Sequence, residues 1–362
     1  MDATWARRVW EGKGIFRLAL WLLLLPISLC YGVGVLIRNL LYALGWLPAR
    51  TLPTTVVSVG NLTVGGTGKT PTAIWLAQAL GKLGYRVAIL SRGYKGSAKE
   101  PVIFAPGLEL SSSVGEDGDV SAAGDEPVMM ARIFGLRVGV GAKRHDVGTR
   151  MVREAEVDVF VLDDGFQHRQ LKRDMDLLLL GTDWNGWLLP AGPFREPRKS
   201  LRRAALYLVT GAKERWEPLL AGRPEESIFF GSLQPRGLLT REAGQWKEYP
   251  LGLLGRSRIL AVSAIADPAS FYRMIHDLEG EIVDTLEFPD HYSYSARDWQ
   301  RINRAGQNAD LIITTEKDIL KLVRFPFARE KLLALRVGMV VEDGEDLVRA
   351  VEEKIRARRR ES

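Results

Sequence analysis

Thiol chemistry has almost no material in this sequence. Among 362 residues there is one cysteine, Cys30, which excludes a disulfide framework and any zinc site built from several thiolates. Histidine is scarce too. His145, His168, His276 and His291 are the whole complement, too few and too scattered for a histidine-rich metal centre. No internal repeat and no low-complexity tract occurs, so solenoid, collagen-like and disordered classes are excluded. Apolar residues make up 46% of the chain and charged residues 26%, ample for packed cores, and the length predicts two domains. Acidic residues are outnumbered, 44 against 50 Lys and Arg, for a net charge of +6. That balance points to an anionic partner without choosing between nucleic acid, phosphorylated substrate and acidic lipid.

Charge is missing altogether from Leu18 to Ile37, 20 residues flanked by Arg17 and Arg38. At ~1.5 Å per residue the run is just long enough for a hydrocarbon core of ~30 Å. A cleaved signal peptide fits worst, because the run is too long for an h-region and no small-x-small site ends it. Arg7, Arg8, Lys13 and Arg17 favour an N-terminus inside, so a single span would export everything downstream. Pro26, Gly32 and Gly34 also argue against one straight helix. The segment from Trp5 to Trp46 therefore reads as a broken apolar hairpin or interfacial anchor on the cytoplasmic face of a membrane.

After Pro48 the texture changes. Thr55–Val59, Val87–Leu90, Arg137–Val140, Val157–Leu162, Met175–Leu180 and Ala205–Val209 read as buried strands, and Pro71–Leu83 as a helix closed by Gly84. Such alternation implies a mostly parallel sheet covered on both faces. The stretch Lys213–Tyr249, rich in charge, glycine and proline, holds the expected boundary. Beyond it, Ile259–Val262 and Leu311–Thr314 read as strands and Asp267–Leu278 as a helix capped by Asp267. The expected organisation is an anchor at 1–48, an α/β domain of the P-loop NTPase type at 49–212 and a smaller α/β domain at 213–362. The basic stretch Arg356–Arg360 reads as a solvated helix end, not a nucleic-acid arm.

Gly60-Asn61-Leu62-Thr63-Val64-Gly65-Gly66-Thr67-Gly68-Lys69-Thr70 lies between an expected strand and an expected helix. In that context Gly65, Gly66, Thr67 and Gly68 turn backbone N–H groups inward as an anion nest at a helix N-terminus. Lys69 reaches the β- and γ-phosphates of a nucleotide, and the Thr70 hydroxyl ligates Mg²⁺. Thr63 stands where the usual pattern has a further glycine.

Phosphoryl transfer also needs a metal-holding acid at a strand end. Asp163, after the apolar run 157–162, fits that position, with Asp164 beside it. In Gly124-Asp125-Glu126-Pro127, Asp125 can be a helix cap, a metal ligand or a general base, and the residue pattern favours the cap. His291, in Phe288-Pro289-Asp290-His291-Tyr292, reads by itself as a surface histidine. Arg92, Lys143, Arg144, and the Arg195-Glu196 pair in a proline-rich loop follow strands, where they would surround the ligand crevice of such folds.

Seven blocks occur in order: 60–71, Ser-Arg-Gly-Tyr at 91–94, Gly-Asp-Glu-Pro at 124–127, Asp-Asp-Gly-Phe-Gln-His at 163–168, Leu-Pro-Ala-Gly-Pro-Phe-Arg-Glu-Pro at 189–197, Phe-Pro-Asp-His-Tyr at 288–292 and Thr-Glu-Lys-Asp at 315–318. Together they resemble the tetraacyldisaccharide 4′-kinase family of lipid A biosynthesis. That resemblance implies transfer of phosphate from ATP, with Mg²⁺, to the 4′-hydroxyl of an acylated glucosamine disaccharide 1-phosphate at the cytoplasmic face of the inner membrane. It implies no nucleic-acid partner. It makes Asp125 the base, His291 its partner from the other domain, and Lys69, Thr70 and Asp163 the phosphate and metal holders. Asp164, Gln167 and His168 line the nucleotide site, with Arg92, Arg144, Arg195 and Glu196 toward substrate. The rival reading is a membrane-attached P-loop ATPase switch. Deviant-loop ATPases of that kind carry a second lysine before the paired glycines, where this chain has Val64.

Overall fold

Runs of β-branched and leucine side chains alternate with amphipathic stretches, the pattern of a sheet covered by helices. The computed structural model describes residues 10, 15–93, 96, 100–105, 120, 122–183, 186–328 and 331–361. Trp5, Arg7, Arg8, Lys13 and Tyr94 lie outside the described residues. The first element is α1 (Ile15–Ala43). β1 (Thr55–Asn61) then runs through the phosphate loop into α2 (Lys69–Lys82). β2 (Val87–Ser91), β3 (Val102–Phe104), α3 (Asp125–Arg132), β4 (Arg137–Val140), α4 (Arg144–Glu154) and β5 (Val159–Asp163) follow. β6 (Met175–Leu180), β7 (Leu206–Val209) and α5 (Lys213–Leu220) complete the first lobe. The second lobe holds β8 (Ile228–Glu242), β9 (Gln245–Tyr249), β10 (Arg258–Ser263), α6 (Pro268–Asp277) and β11 (Glu281–Glu287). α7 (Ala296–Ala305), β12 (Leu311–Thr315), α8 (Glu316–Leu322), β13 (Leu332–Val341) and α9 (Gly344–Glu361) end the chain.

Among the described residues the strands join in the order β11-β10-β12-β13-β8-β7-β6-β1-β5-β2-β4-β3, with β9 on β8. Pairing is parallel except at β3–β4, β8–β13 and β8–β9. The mostly parallel α/β architecture expected from the sequence is therefore present. β1 sits between β5 and β6, in register at Val59–Asp163 and Val59–Leu177. This places the phosphate loop beside the acids that end β5.

Three features depart from the sequence reading. The segment 213–249, expected to hold the boundary, contains a helix and a 15-residue strand that the sequence reading did not place there. Pro235 and the glycines of β8 hid the strand, because proline cannot donate to a ladder. The chain accommodates it with an irregularity: Val337 faces Pro235 and Arg336 faces Gly237, so Arg236 is an extra residue on β8. Residues 228–230 still pair with β7, so β8 carries the sheet across the boundary read at 212/213. α9 also returns to the first lobe, where Leu347, Val351 and Ile355 share a core with Leu76, Leu80 and Val57.

α1 is one helix with Pro26 inside it, not the broken hairpin read from the sequence. An interior proline removes one hydrogen bond and costs roughly 3 kcal/mol. Contacts on both sides offset that cost: Trp21 stacks edge-on against Trp187, and the Ser28 hydroxyl donates to the Leu188 carbonyl at 2.7 Å. Leu18–Ala43 is long and apolar enough to cross a membrane, and only Ser28, Gly32 and Val35 in it are buried. Leu22, Leu23, Leu29, Val33, Leu36 and Leu40 each expose more than half their surface.

Candidate active site

β1 ends in Gly60-Asn61, and the chain then turns back over its own strand end. Gly65 (φ 118°) and Gly68 (φ 84°) hold left-handed backbone that side-chain-bearing residues rarely adopt. Gly66 has open space where a Cβ would sit. Asn61 Nδ2 donates to the Thr67 hydroxyl at 2.8 Å, and the Val64 amide donates to the Pro193 carbonyl at 2.9 Å. The proline-rich loop thus braces the phosphate loop. Lys69 Nζ folds back to the Gly65 carbonyl at 3.2 Å and lies 3.9 Å from Asp164 Oδ1. Burial lowers its pKa, opposed by the charges of Asp164 and Asp163.

Thr70 stands in the first turn of α2 and its hydroxyl donates to Asp163 Oδ2 at 3.1 Å. Asp163 is buried, and its Oδ1 has no hydrogen-bond partner among the described residues. Burial, reinforced by Glu126 and Asp164, pushes this carboxyl up to about 7. Asp164 has φ 50°. It accepts both arms of Arg195, at 2.9 and 2.8 Å. Burial works against ionisation here, but the Arg195 bonds and the charge of Lys69 hold this carboxyl well below the ordinary range. Gln167 Nε2 donates to the Asn61 carbonyl at 2.9 Å, fixing the end of β1.

His168 stays neutral. Burial, then the positive field of Arg144, Arg173 and Arg92, lowers its pKa from 6.5 to about 4. An unfolded imidazole binds a proton near 6.5 and the folded one not until about 4, so acidification across that window favours the unfolded chain. Stability is expected to fall between these two values and to level off below them. His168→Gln should flatten the fall, read as the difference in urea midpoints between about pH 7 and about pH 5.

Gly124 (φ 90°) precedes α3 and supplies no side-chain cap; Asp125 is the first helical residue. Its carboxylate turns away from the helix amides, contrary to the cap that the residue pattern favours. Asp125 Oδ2 accepts from Lys321 Nζ at 2.6 Å and lies 3.1 Å from His291 Nδ1, which donates in its Nδ1–H tautomer. His291 reaches across from the second lobe on a turn where its own φ is 63°. Burial raises the Asp125 pKa, but the His291 and Lys321 bonds outweigh it and the net direction is down. Next door, Glu126 pairs with Lys317.

The four residues expected to face substrate separate. Arg92 is exposed at the end of β2, and Arg195 is engaged with Asp164. Arg144 is buried inward, where its guanidinium donates to the backbone carbonyls of Asp163 (2.9 Å) and Asp164 (3.1 Å). Burial lowers its pKa to about 10. Through these carbonyl bonds it shapes the acidic turn from behind. Glu196 also departs from its expected place. It has no exposed surface and accepts from Arg38 (3.1 Å) and Asn39 (3.0 Å) of α1 and from Arg203 (2.6 Å). It therefore joins the apolar helix to the loop that braces the phosphate site. Glu196→Ala leaves two guanidinium groups facing an apolar gap and is expected to cost about 3 kcal/mol of stability, measurable as a lowered urea midpoint.

Sequence reasoning overlooked Asn61, Glu126, Lys317 and Lys321 as parts of the site. The first three stand inside motif blocks. Lys321 had a signal of its own, its spacing of four from Lys317 on a short helix.

A glycine-bent strand-to-helix loop with an adjoining Lys-Thr, facing acids at the end of the neighbouring parallel strand, defines a P-loop phosphotransferase. The family model described as LpxK, tetraacyldisaccharide-1-P 4'-kinase, matches residues 20–356. A tetraacyldisaccharide 4'-kinase of Syntrophus aciditrophicus is 41% identical, covering 87% of this chain and 88% of the relative. One of Pelobacter propionicus is 37% identical over 91% of each chain. The crystal structure of LpxK from Aquifex aeolicus in complex with ATP is similar at a TM-score of 0.77 and 33% identity, covering 93% of this chain and 99% of that one. The chain belongs to the tetraacyldisaccharide-1-P 4'-kinase family, and it is a kinase.

Proposed function

We propose that this kinase moves the γ-phosphoryl group of ATP to the 4′-hydroxyl of a tetraacylated disaccharide 1-phosphate lying in a membrane. The observation that carries the reading is the Asp125 carboxylate, held by His291 from the opposite lobe at 3.1 Å beside the phosphate loop. Its neighbour Glu126 feels the charges of both Lys69 and His291, so base, loop and second lobe belong to one electrostatic unit.

The residues at the loop fit a divalent cation. Asp163 Oδ1 is a buried oxygen with no partner among the described residues, and the Thr70 hydroxyl stands beside the same carboxyl. These are hard oxygen donors of the kind magnesium prefers. No group of three or more His, Cys, Asp or Glu side chains gathers among the described residues. Bound there, Mg²⁺ would neutralise phosphate charge.

The chain's own groups supply the rest. Amides of Gly65–Gly68 and the start of α2 cradle the β-phosphate. Lys69 leaves the Gly65 carbonyl for the γ-phosphate. The acceptor oxygen forms a bond to the γ-phosphorus while the bond from that phosphorus to the β–γ bridging oxygen breaks. ADP leaves with the electron pair, and the hydroxyl proton passes to Asp125. His291 orients the carboxylate, and closing the lobes excludes water. Arg144 and Gln167 hold the backbone of the acidic turn and of β1. Arg195 keeps Asp164 anionic and fixed, and Arg92 is exposed toward incoming anionic substrate.

The acceptor's acyl chains keep it in the bilayer, so the enzyme has to work at the surface. The exposed apolar side of α1 supports seating at the cytoplasmic face of the inner membrane, with basic residues toward anionic lipid and the 1-phosphate. Incubation with ATP labelled in the γ-phosphate and the disaccharide acceptor, followed by thin-layer chromatography, tests the reading. Label is expected in the lipid. Label released wholly as free phosphate would instead favour the ATPase switch.

A further inference from the structure

Asp125 and Glu126 leave the first turn of α3 toward a single helix of the second lobe. α8 presents lysines at 317 and 321, four residues apart and so on one face. Lys317 takes Glu126. Lys321 Nζ lies 2.6 Å from Asp125 Oδ2 and 3.1 Å from the Tyr292 carbonyl oxygen, one residue past His291. The Lys321 residue is 6% exposed, and a buried ammonium persists where partners satisfy its donors. His291 Nδ1 meets the same Oδ2. Both partners of the base thus fall on one oxygen, and Oδ1 carries no hydrogen bond among the described residues.

We propose that Lys321 is a positioning residue for phosphoryl transfer: with His291 it pins Oδ2 of Asp125 and leaves Oδ1 aimed at the acceptor hydroxyl, in the closed arrangement of the lobes. This rests on the reading of Asp125 as the base. Lys321 acts through the carboxylate and touches no substrate. A carboxylate gripped on one oxygen by two donors cannot rotate, so its second oxygen has a fixed direction. The groups facing Asp125 are Lys321 and, farther off, Lys317 from α8, and His291 with Asp290 behind it at 3.7 Å. Tyr294 lies on the same turn, and Glu126 is the neighbour on α3 itself. Burial works against ionisation, but the bond from His291 and the bond and charge of the Lys321 ammonium, the nearest charge, keep the base ionised as the pH falls.

The test is a kinetic cycle on the full chain with acceptor in mixed micelles. Lys321→Met is expected to lower kcat by about 10- to 100-fold with KM for ATP changed less than about twofold. It should also move the acid limb of kcat/KM up by about one pH unit, and Lys321→Arg should move it back. In the Asp125→Asn background, adding Lys321→Met should cost less than about twofold, because the group it acts through is already lost. An equal cost in both backgrounds, or an unmoved acid limb, overturns the positioning role. Should Lys321→Met not fold, Lys321→Gln is read in the same cycle. An Asp125→Asn enzyme as fast as the parent overturns the base assignment instead, so the two failures are distinguishable.

Discussion

Asp125→Ala is expected to lower phosphoryl transfer about a thousandfold, within the range for loss of a positioned base, while ATP affinity changes less than about threefold. The asymmetry follows from the contacts. Asp125 bonds to His291 and Lys321, whereas the loop lysine and Thr70 engage Gly65 and Asp163. Among the described residues no hydrogen bond joins the phosphate cradle to the Asp125 carboxylate. Equilibrium binding of a fluorescent ATP analogue, alongside kcat for lipid phosphorylation, separates the cases. A loss of affinity matching the loss of rate would make Asp125 a nucleotide ligand. Asp125→Asn keeps the shape at Lys321 and controls for strain from a buried ammonium left with only the Tyr292 carbonyl.

Deleting residues 1–48 is the other large effect. α1 exposes a row of leucine and valine side chains, Leu22, Leu29, Leu36 and Leu40 among them. At roughly 1 kcal/mol for each half-exposed side chain withdrawn from water, such a row contributes on the order of 10 kcal/mol to membrane residence. The shortened chain is expected in the supernatant after sedimentation with vesicles, while the intact chain pellets. Its action on acylated acceptor should fall much more than its action on a deacylated one. The cut also strips Arg38 and Asn39 from Glu196, so some loosening of the loop at 189–197 accompanies it. Continued pelleting of the shortened chain would refute the anchor.

The nucleotide half of the site was legible because its chemistry is local. Gly65 through Thr70 are consecutive, and Asp163 ends an apolar run whose strand character shows in its composition. The parallel sheet was legible for the same reason. Less could be read where the meaning of a residue depends on a distant partner. Arg144 follows a strand as a ligand-binding arginine does, yet the fold turns it inward onto the carbonyls of β5. Glu196 neighbours Arg195 in the chain, but besides Arg203 its partners are 157 and 158 residues away. No spacing rule connects those positions. Pro26 misled because local propensity says break, while Trp21 and Ser28 find partners on a loop some 160 residues later. β8 was missed for a related reason: its proline is absorbed by a bulge against β13, which exists only once both strands are paired.

In the proposed mechanism the second lobe brings His291 and Lys321 to Asp125 so that its other oxygen meets the acceptor. A crystal structure with a non-hydrolysable ATP analogue and the disaccharide acceptor measures this directly. The account predicts Asp125 Oδ1 within about 3 Å of the 4′-hydroxyl oxygen, with His291 still on Oδ2. A carboxylate turned from the triphosphate, with the hydroxyl approached by some other group, would contradict it.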